Sequence, residues 1–162
     1  MYRPIWSAEI LAETYRTMTG RLGLSEEKAQ HRVNMMESWF TDASARGYEH
    51  LIPSMTNHEK DRHVLAAAVR QRAEVIVTSN TRDFPQSALD PFGIKALTPD
   101  EFLLDQLDLY ESGTLGILDC IVAEYQNPTI EMIDLLRTMR ARDLGEFATQ
   151  VAKLHGLDCL DL

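Results

Sequence analysis

The stretch between Asp61 and Leu97 limits the folds open to this chain more than any other part of it. It begins with a helical pattern in which Val64, Leu65, Ala68 and Val69 fall three and four residues apart, the spacing of one buried helix face. Residues 74–78, Glu-Val-Ile-Val-Thr, follow as a short β-branched run of the kind a buried parallel strand uses. Residues 79–91 are rich in Asn, Asp, Ser and Pro and read as a loop with room for one helical turn. A second apolar run, residues 93–97, reads as another strand. Helix, strand, loop and strand predict an α/β layered fold with a parallel sheet flanked by helices.

The flanks of this stretch read as mostly helical. Ser7 precedes a helical pattern from Ala8 to Met18 with Glu9 in its first turn, where the helix dipole favours an anion. Ser25 caps a second helix that the pattern carries past Met35, Met36, Trp39 and Phe40 until Gly47 breaks it. Residues 4–7 read as a short strand, and residues 51–55 as a strand candidate that Pro53 makes either an edge strand or an irregular segment. Thr98 and Pro99 open a further helix, with Asp100 and Glu101 in its first turn. Three more helices are expected at residues 115–125, 129–139 and 144–154, the middle one capped after Asn127 and Pro128. The division drawn from these patterns is an α/β domain over residues 1–97 and an all-helical extension over residues 98–162.

Charge follows the same division. The net charge is −9, yet residues 1–97 carry 12 acidic and 12 basic residues, whereas residues 98–162 carry 13 acidic against 4 basic. All the excess negative charge therefore lies in the helical extension. The neutral first part can present a locally basic surface to a nucleic acid once some of its carboxylates are drawn into a metal site. No window approaches the roughly 20 apolar residues of a membrane span. Cys120 and Cys159 form no CxxC pair, and Met1 leads straight into a structured-looking segment, so the expected setting is a reducing cytoplasm. There is no GxGxxG, no GxxxxGK[ST] and no GxSxG, which leaves nucleotide-binding and α/β-hydrolase readings without support.

Three carboxylates stand out by position. Ligands bind outside the carboxyl ends of strands in open parallel sheets, and Asp83 lies in a loop that leaves such an end. Asp61 precedes a helix, where an aspartate caps backbone amides for about 1 kcal/mol and can also serve a site. Glu13 falls at the border of the apolar face of the first helix, while Glu9 turns toward solvent. Each has a plain reading as cap, turn residue or solvated surface. Lys60, Arg62 and Arg82 lie beside the acids and can be either solvated charges or phosphate contacts. His58 and His63 make no HExxH motif and read as surface or core histidines. Met35, Met36, Trp39 and Phe40 read as packing, or as a face that docks a partner.

Taken in order, W-S-x-x-I-L-x-E from Trp6, D-R-H-V-L-A-A-A from Asp61, V-I-V-T-S-N-T-R-D-F from Val75 and L-T-P-D-E-F-L from Leu97 resemble the PIN-domain family, in particular its bacterial, VapC-type toxin branch. The resemblance covers most of Trp6 to Leu104, and its T-x-N-x-x-D-F element is the most specific part. It implies a PIN-like parallel sheet and a metal-dependent ribonuclease of the kind that serves as the toxin of a toxin–antitoxin pair. By this resemblance Glu13, Asp61 and Asp83 are the catalytic, metal-binding acids, Thr78 and Asn80 support them, and RNA and an antitoxin are the partners. Clustered carboxylates stay ionised together only around a cation, and an all-oxygen set suits Mg²⁺ or Mn²⁺. The family's first strand, with its aspartate, has no counterpart ahead of Trp6. That difference keeps a second reading open, a catalytically impaired PIN-like module that binds RNA or a protein, and it raises dimerisation as a way to complete the sheet. The acidic extension is expected to cover a sheet edge or to attract a basic partner.

Overall fold

The computed structural model describes residues 2–158 and divides into two units, one made of Tyr2–Ile76 with Arg82–Ala96, the other of Val77–Thr81 with the residues from Leu97 onward. Cys159 lies outside the described residues. The fold is mixed α/β, rich in helix, with a parallel sheet of two strands, β1 (Val75–Val77) and β2 (Lys95–Leu97). Hydrogen bonds from the Lys95 amide to the Glu74 carbonyl (2.9 Å) and from the Thr78 amide to the Leu97 carbonyl (2.9 Å) fix its register.

In the first unit α1 (Ala8–Gly20) and α2 (Glu26–Trp39) begin where their serines predict. Ser7 Oγ accepts from the Ile10 amide, and Ser25 Oγ accepts from the Lys28 amide. Leu11 and Met18 of α1 meet Ala29 and Val33 of α2 in a small core that Trp6 and Ala43 complete. The second helix is shorter than its pattern suggests, because it stops at Trp39. Phe40 leaves the helix and stands edge-on to the Trp6 ring, with centroids 5.7 Å apart. Residues 4–7 form no strand either; Trp6 makes an isolated parallel bridge opposite Ser44, through bonds to Ala43 and Ala45.

Residues 51–55 are a second correction. Glu49–Ser54 is a 3-10 helix, in which the Leu51 amide donates to the Tyr48 carbonyl. Tyr48 and Met55 are buried and Leu51 and Ile52 are half-buried, so the apolar spacing is that of a helix, and Pro53 sits in a turn that tolerates it. The larger core of this unit gathers Leu65, Ala66, Ala67 and Ala68 of α3 (Arg62–Gln71) with Ile76, Phe84, Leu89 and Ile94. The alanines are what let the rest of this core come close to α3. Leu89 ends α4 (Gln86–Leu89), the single helical turn expected in the loop.

The second unit holds α5 (Pro99–Leu109), α6 (Glu111–Glu124), α7 (Met132–Arg140) and α8 (Gly145–Leu154) around Leu107, Leu118, Leu136, Phe147 and Val151. Thr98 and Glu101 form a capping box that starts α5. The α7 start is later than expected: Glu131, paired with Asp134, caps it in place of the Asn127–Pro128 segment. Asp100 reaches the start of α8, where its carboxylate accepts from the Glu146 amide (3.1 Å) and the Phe147 amide (2.9 Å). No helix among the described residues is long and apolar enough to cross a membrane.

Candidate metal centre

Backbone geometry assembles the acids. A 3-10 turn, Glu59–Asp61, leads into α3, and the Asp61 amide donates to the His58 carbonyl at 2.9 Å. The His58 amide in turn donates to the Asp83 carbonyl at 3.0 Å, which ties this turn to the 3-10 turn Thr81–Asp83. These two bonds bring the side chains of His58, Asp61 and Asp83 together, with one possible ligand atom from each lying within 4.8 Å of the others. Asp61 is half-buried and its Oδ2 stands 3.8 Å from His58 Nδ1.

Asp61 does not cap α3 with its side chain, contrary to the simplest reading of an aspartate before a helix. It is turned to Asp83 instead. Burial pushes the Asp61 carboxyl above the usual carboxylate range, and a hydrogen bond shared with Asp83 and the negative charge of Asp83 push it further the same way. His63 opposes that shift and Glu13 adds to it. Two carboxyl groups held this close favour a cation between them, since a divalent ion offsets the negative charge that each presents to the other. The donor set fits such an ion: two carboxylates and one imidazole, on backbone segments held by hydrogen bonds. The set is not all-oxygen, because His58 belongs to it, and an imidazole moves the preference from Mg²⁺ toward Mn²⁺ and softer ions.

Glu13 is the expected acid that the structure leaves out of this group. Its carboxylate lies 3.4 Å from Nε2 of buried His63 and 3.9 Å from the Arg16 guanidinium, and it lines a shallow depression of about 460 Å³ with Arg16, Thr17 and Arg21. Arg62 is half-buried and donates through Nε to the Asn57 carbonyl at 3.3 Å, which ties its side chain to the segment just before His58. Arg82 and Lys60 are charged side chains of the neighbouring turns, and Lys60 is exposed. Thr78 and Asn80 belong to the other unit, where the Asn80 amide donates to Thr78 Oγ1 at 3.1 Å. His58 is the residue that sequence reasoning missed. Its only signal was its place three residues before Asp61, in a turn rather than on a helix face.

Comparison with known proteins agrees on the kind of protein this chain resembles. The family described as VapC50 C-terminal domain matches residues 99–153, the span of α5 to α8. A protein of Mycobacterium tuberculosis (strain ATCC 25618 / H37Rv) named "Putative ribonuclease VapC50" is 52% identical over 114 residues, which cover 70% of this chain and 67% of that relative. No solved structure gives a significant match.

Proposed function

We propose a function on one premise: the chain belongs to the VapC-type family of PIN-domain ribonucleases. On that premise it hydrolyses RNA phosphodiester bonds as a divalent-metal-dependent endoribonuclease and acts as the toxin of a toxin–antitoxin pair. The observation that carries the reading is the close group of His58, Asp61 and Asp83, whose possible ligand atoms all lie within 4.8 Å of one another. Asp61, Asp83 and His58 would hold Mn²⁺ or Mg²⁺, and a bound ion would supply the Lewis acidity that activates water and the charge that offsets a leaving oxygen. Arg62, fixed by Asn57, orients a phosphate, and Lys60 and Arg82 add attraction from the turns on either side. Arg16 and Arg21 extend this attraction along α1 beyond Glu13. Thr78 and Asn80 stiffen the loop that leads to Asp83. Residues 1–97 carry the site, and residues 98–162 are an acidic helical appendage that repels RNA. An antitoxin with a basic segment competes for the acids, and the chain works in the cytoplasm as a homodimer.

One observation favours the other reading, a module that binds RNA or a protein without cutting: the Glu13 carboxylate stands outside the ligand group. RNA incubated with the chain and Mn²⁺ decides between them. Cleavage that EDTA abolishes and Asp83→Asn lowers at least ~100-fold supports the nuclease. RNA that is retained but stays intact in Mn²⁺ overturns it and leaves the binding module.

A further inference from the structure

We infer that His63 is the residue that positions Glu13, so that an imidazole on α3 and a carboxylate on α1 act as one unit beside Asp61 and Asp83. The catalytic consequence rests on the ribonuclease reading; the pairing rests on geometry alone. His63 is 5% exposed, and its Nε2 has no hydrogen-bond partner among the described residues. A buried polar nitrogen left in that state is costly, because it has given up water and gained no partner. Glu13 Oε2 is the near acceptor, at 3.4 Å but too poorly aligned for a hydrogen bond. Glu13 can close that gap, because its side chain is 44% exposed and has room to turn, whereas the buried imidazole is held by its surroundings.

Hydrogen bonds at catalytic sites are often long before a ligand arrives and tighten when it does. The neutral imidazole with its proton on Nε2 is a sufficient donor, so the pairing needs no change of protonation. Arg16 is the competing partner of Glu13, but it is 69% exposed and 3.9 Å away, a surface contact of little weight. An unpaired Glu13 on an exposed helix face would sample several rotamers. Held by His63 it presents its charge from one direction, and both groups already act on the Asp61 carboxyl in opposite senses.

Four chains test this: wild type, His63→Leu, Glu13→Gln and the double variant, with His63→Gln as the conservative control. Mn²⁺ alone is titrated into each and free ion is read by its paramagnetic resonance signal; kcat and KM on RNA are measured alongside. His63→Leu is expected to weaken Mn²⁺ binding about tenfold and to lower kcat with KM unchanged. His63→Gln, which keeps an N–H donor, recovers most of the loss, and His63→Leu costs nothing further once Glu13 is Gln. Losses that add in the double variant, or wild-type Mn²⁺ affinity in His63→Leu, overturn the inference. If the wild type cuts no RNA, the ribonuclease reading fails while the Mn²⁺ comparison still decides the pairing. Urea unfolding of the same set in EDTA tests the pairing independently, since zero coupling between positions 13 and 63 overturns it whatever the chain does with metal or RNA. Should His63→Leu not fold, His63→Gln takes its place in the set: coupling to Glu13→Gln supports the pairing, and additive losses overturn it.

Discussion

The two units of this chain treat polar groups in opposite ways. In the helical unit the fully buried side chains are Leu136, Phe147, Ala148, Val151 and Ala152, and polar groups work mainly at helix ends, as Thr98 does with Glu101, Glu131 with Asp134, and Asp100 on the first amides of α8; His155 Nε2 is its buried atom without a hydrogen-bond partner among the described residues. In the unit that carries the acids, Asn57 and His63 are buried with side-chain atoms that have no hydrogen-bond partner among the described residues, and Asp61 and Asp83 press two carboxyl groups together. The first arrangement is what stability alone selects. The second makes sense only if something besides stability is served, because sites are where a sequence departs from its own folding rules.

That contrast can be broken or sharpened by measurement. Phe147→Ala empties the centre of the helical core and is expected to cost about 3–5 kcal/mol in urea unfolding; a loss below ~1 kcal/mol would mean that the core is not packed as described. Asn57→Leu removes a buried amide with both side-chain polar atoms unsatisfied, so it is expected to stabilise the site unit by about 1–3 kcal/mol, read in the same way. A destabilised Asn57→Leu would show that the amide has a partner in solution and would weaken the contrast. Asp100→Ala leaves two amides of α8 without their acceptor and is expected to cost about 1–2 kcal/mol.

Smaller effects test the charges. In EDTA near neutral pH, Asp83→Asn relieves repulsion with Asp61 and should raise the melting temperature by a few °C at most. An unchanged or lower melting temperature would argue that the two carboxylates do not repel. The least change is expected at Glu101, whose carboxyl is held below its ordinary value of 4.5 by the Thr98 amide and then by the Thr98 hydroxyl. A depressed folded pKa gives stability that is present above 4.5 and is lost as pH falls through the folded value. Melting curves taken from about pH 6 down to about pH 3 should therefore fall less steeply for Glu101→Gln than for the wild type.

Local signals in the sequence carry far. Ser7, Ser25 and Thr98 mark helix starts because a side-chain oxygen can satisfy an amide that the helix itself cannot. The spacing of Val64, Leu65 and Ala68 identifies α3, and the runs at 74–78 and 93–97 identify the paired strands, the first trimmed at both ends and the second at its start. Residues 51–55 mislead because Pro53 points to a strand edge, while the apolar spacing of Tyr48, Leu51, Ile52 and Met55 has the period of a helix. Phe40 falls inside a helical pattern because its attraction to Trp6, 34 residues away, leaves no mark on its neighbours.

The acids show where the boundary runs. The sequence alone marks Asp61 and Asp83 as candidates, since one opens a helix and the other follows a strand, and these are properties of a few neighbouring residues. It is silent on their contact and on the place of His58 with them, and it puts Glu13 in the same set. Those outcomes depend on the bond from the His58 amide to the Asp83 carbonyl and on the burial of His63 opposite α1, contacts between residues 25 and 50 positions apart. Periodicity and capping are local and can be read along the chain. Which carboxylate meets which imidazole is decided only when the core closes and brings distant turns together.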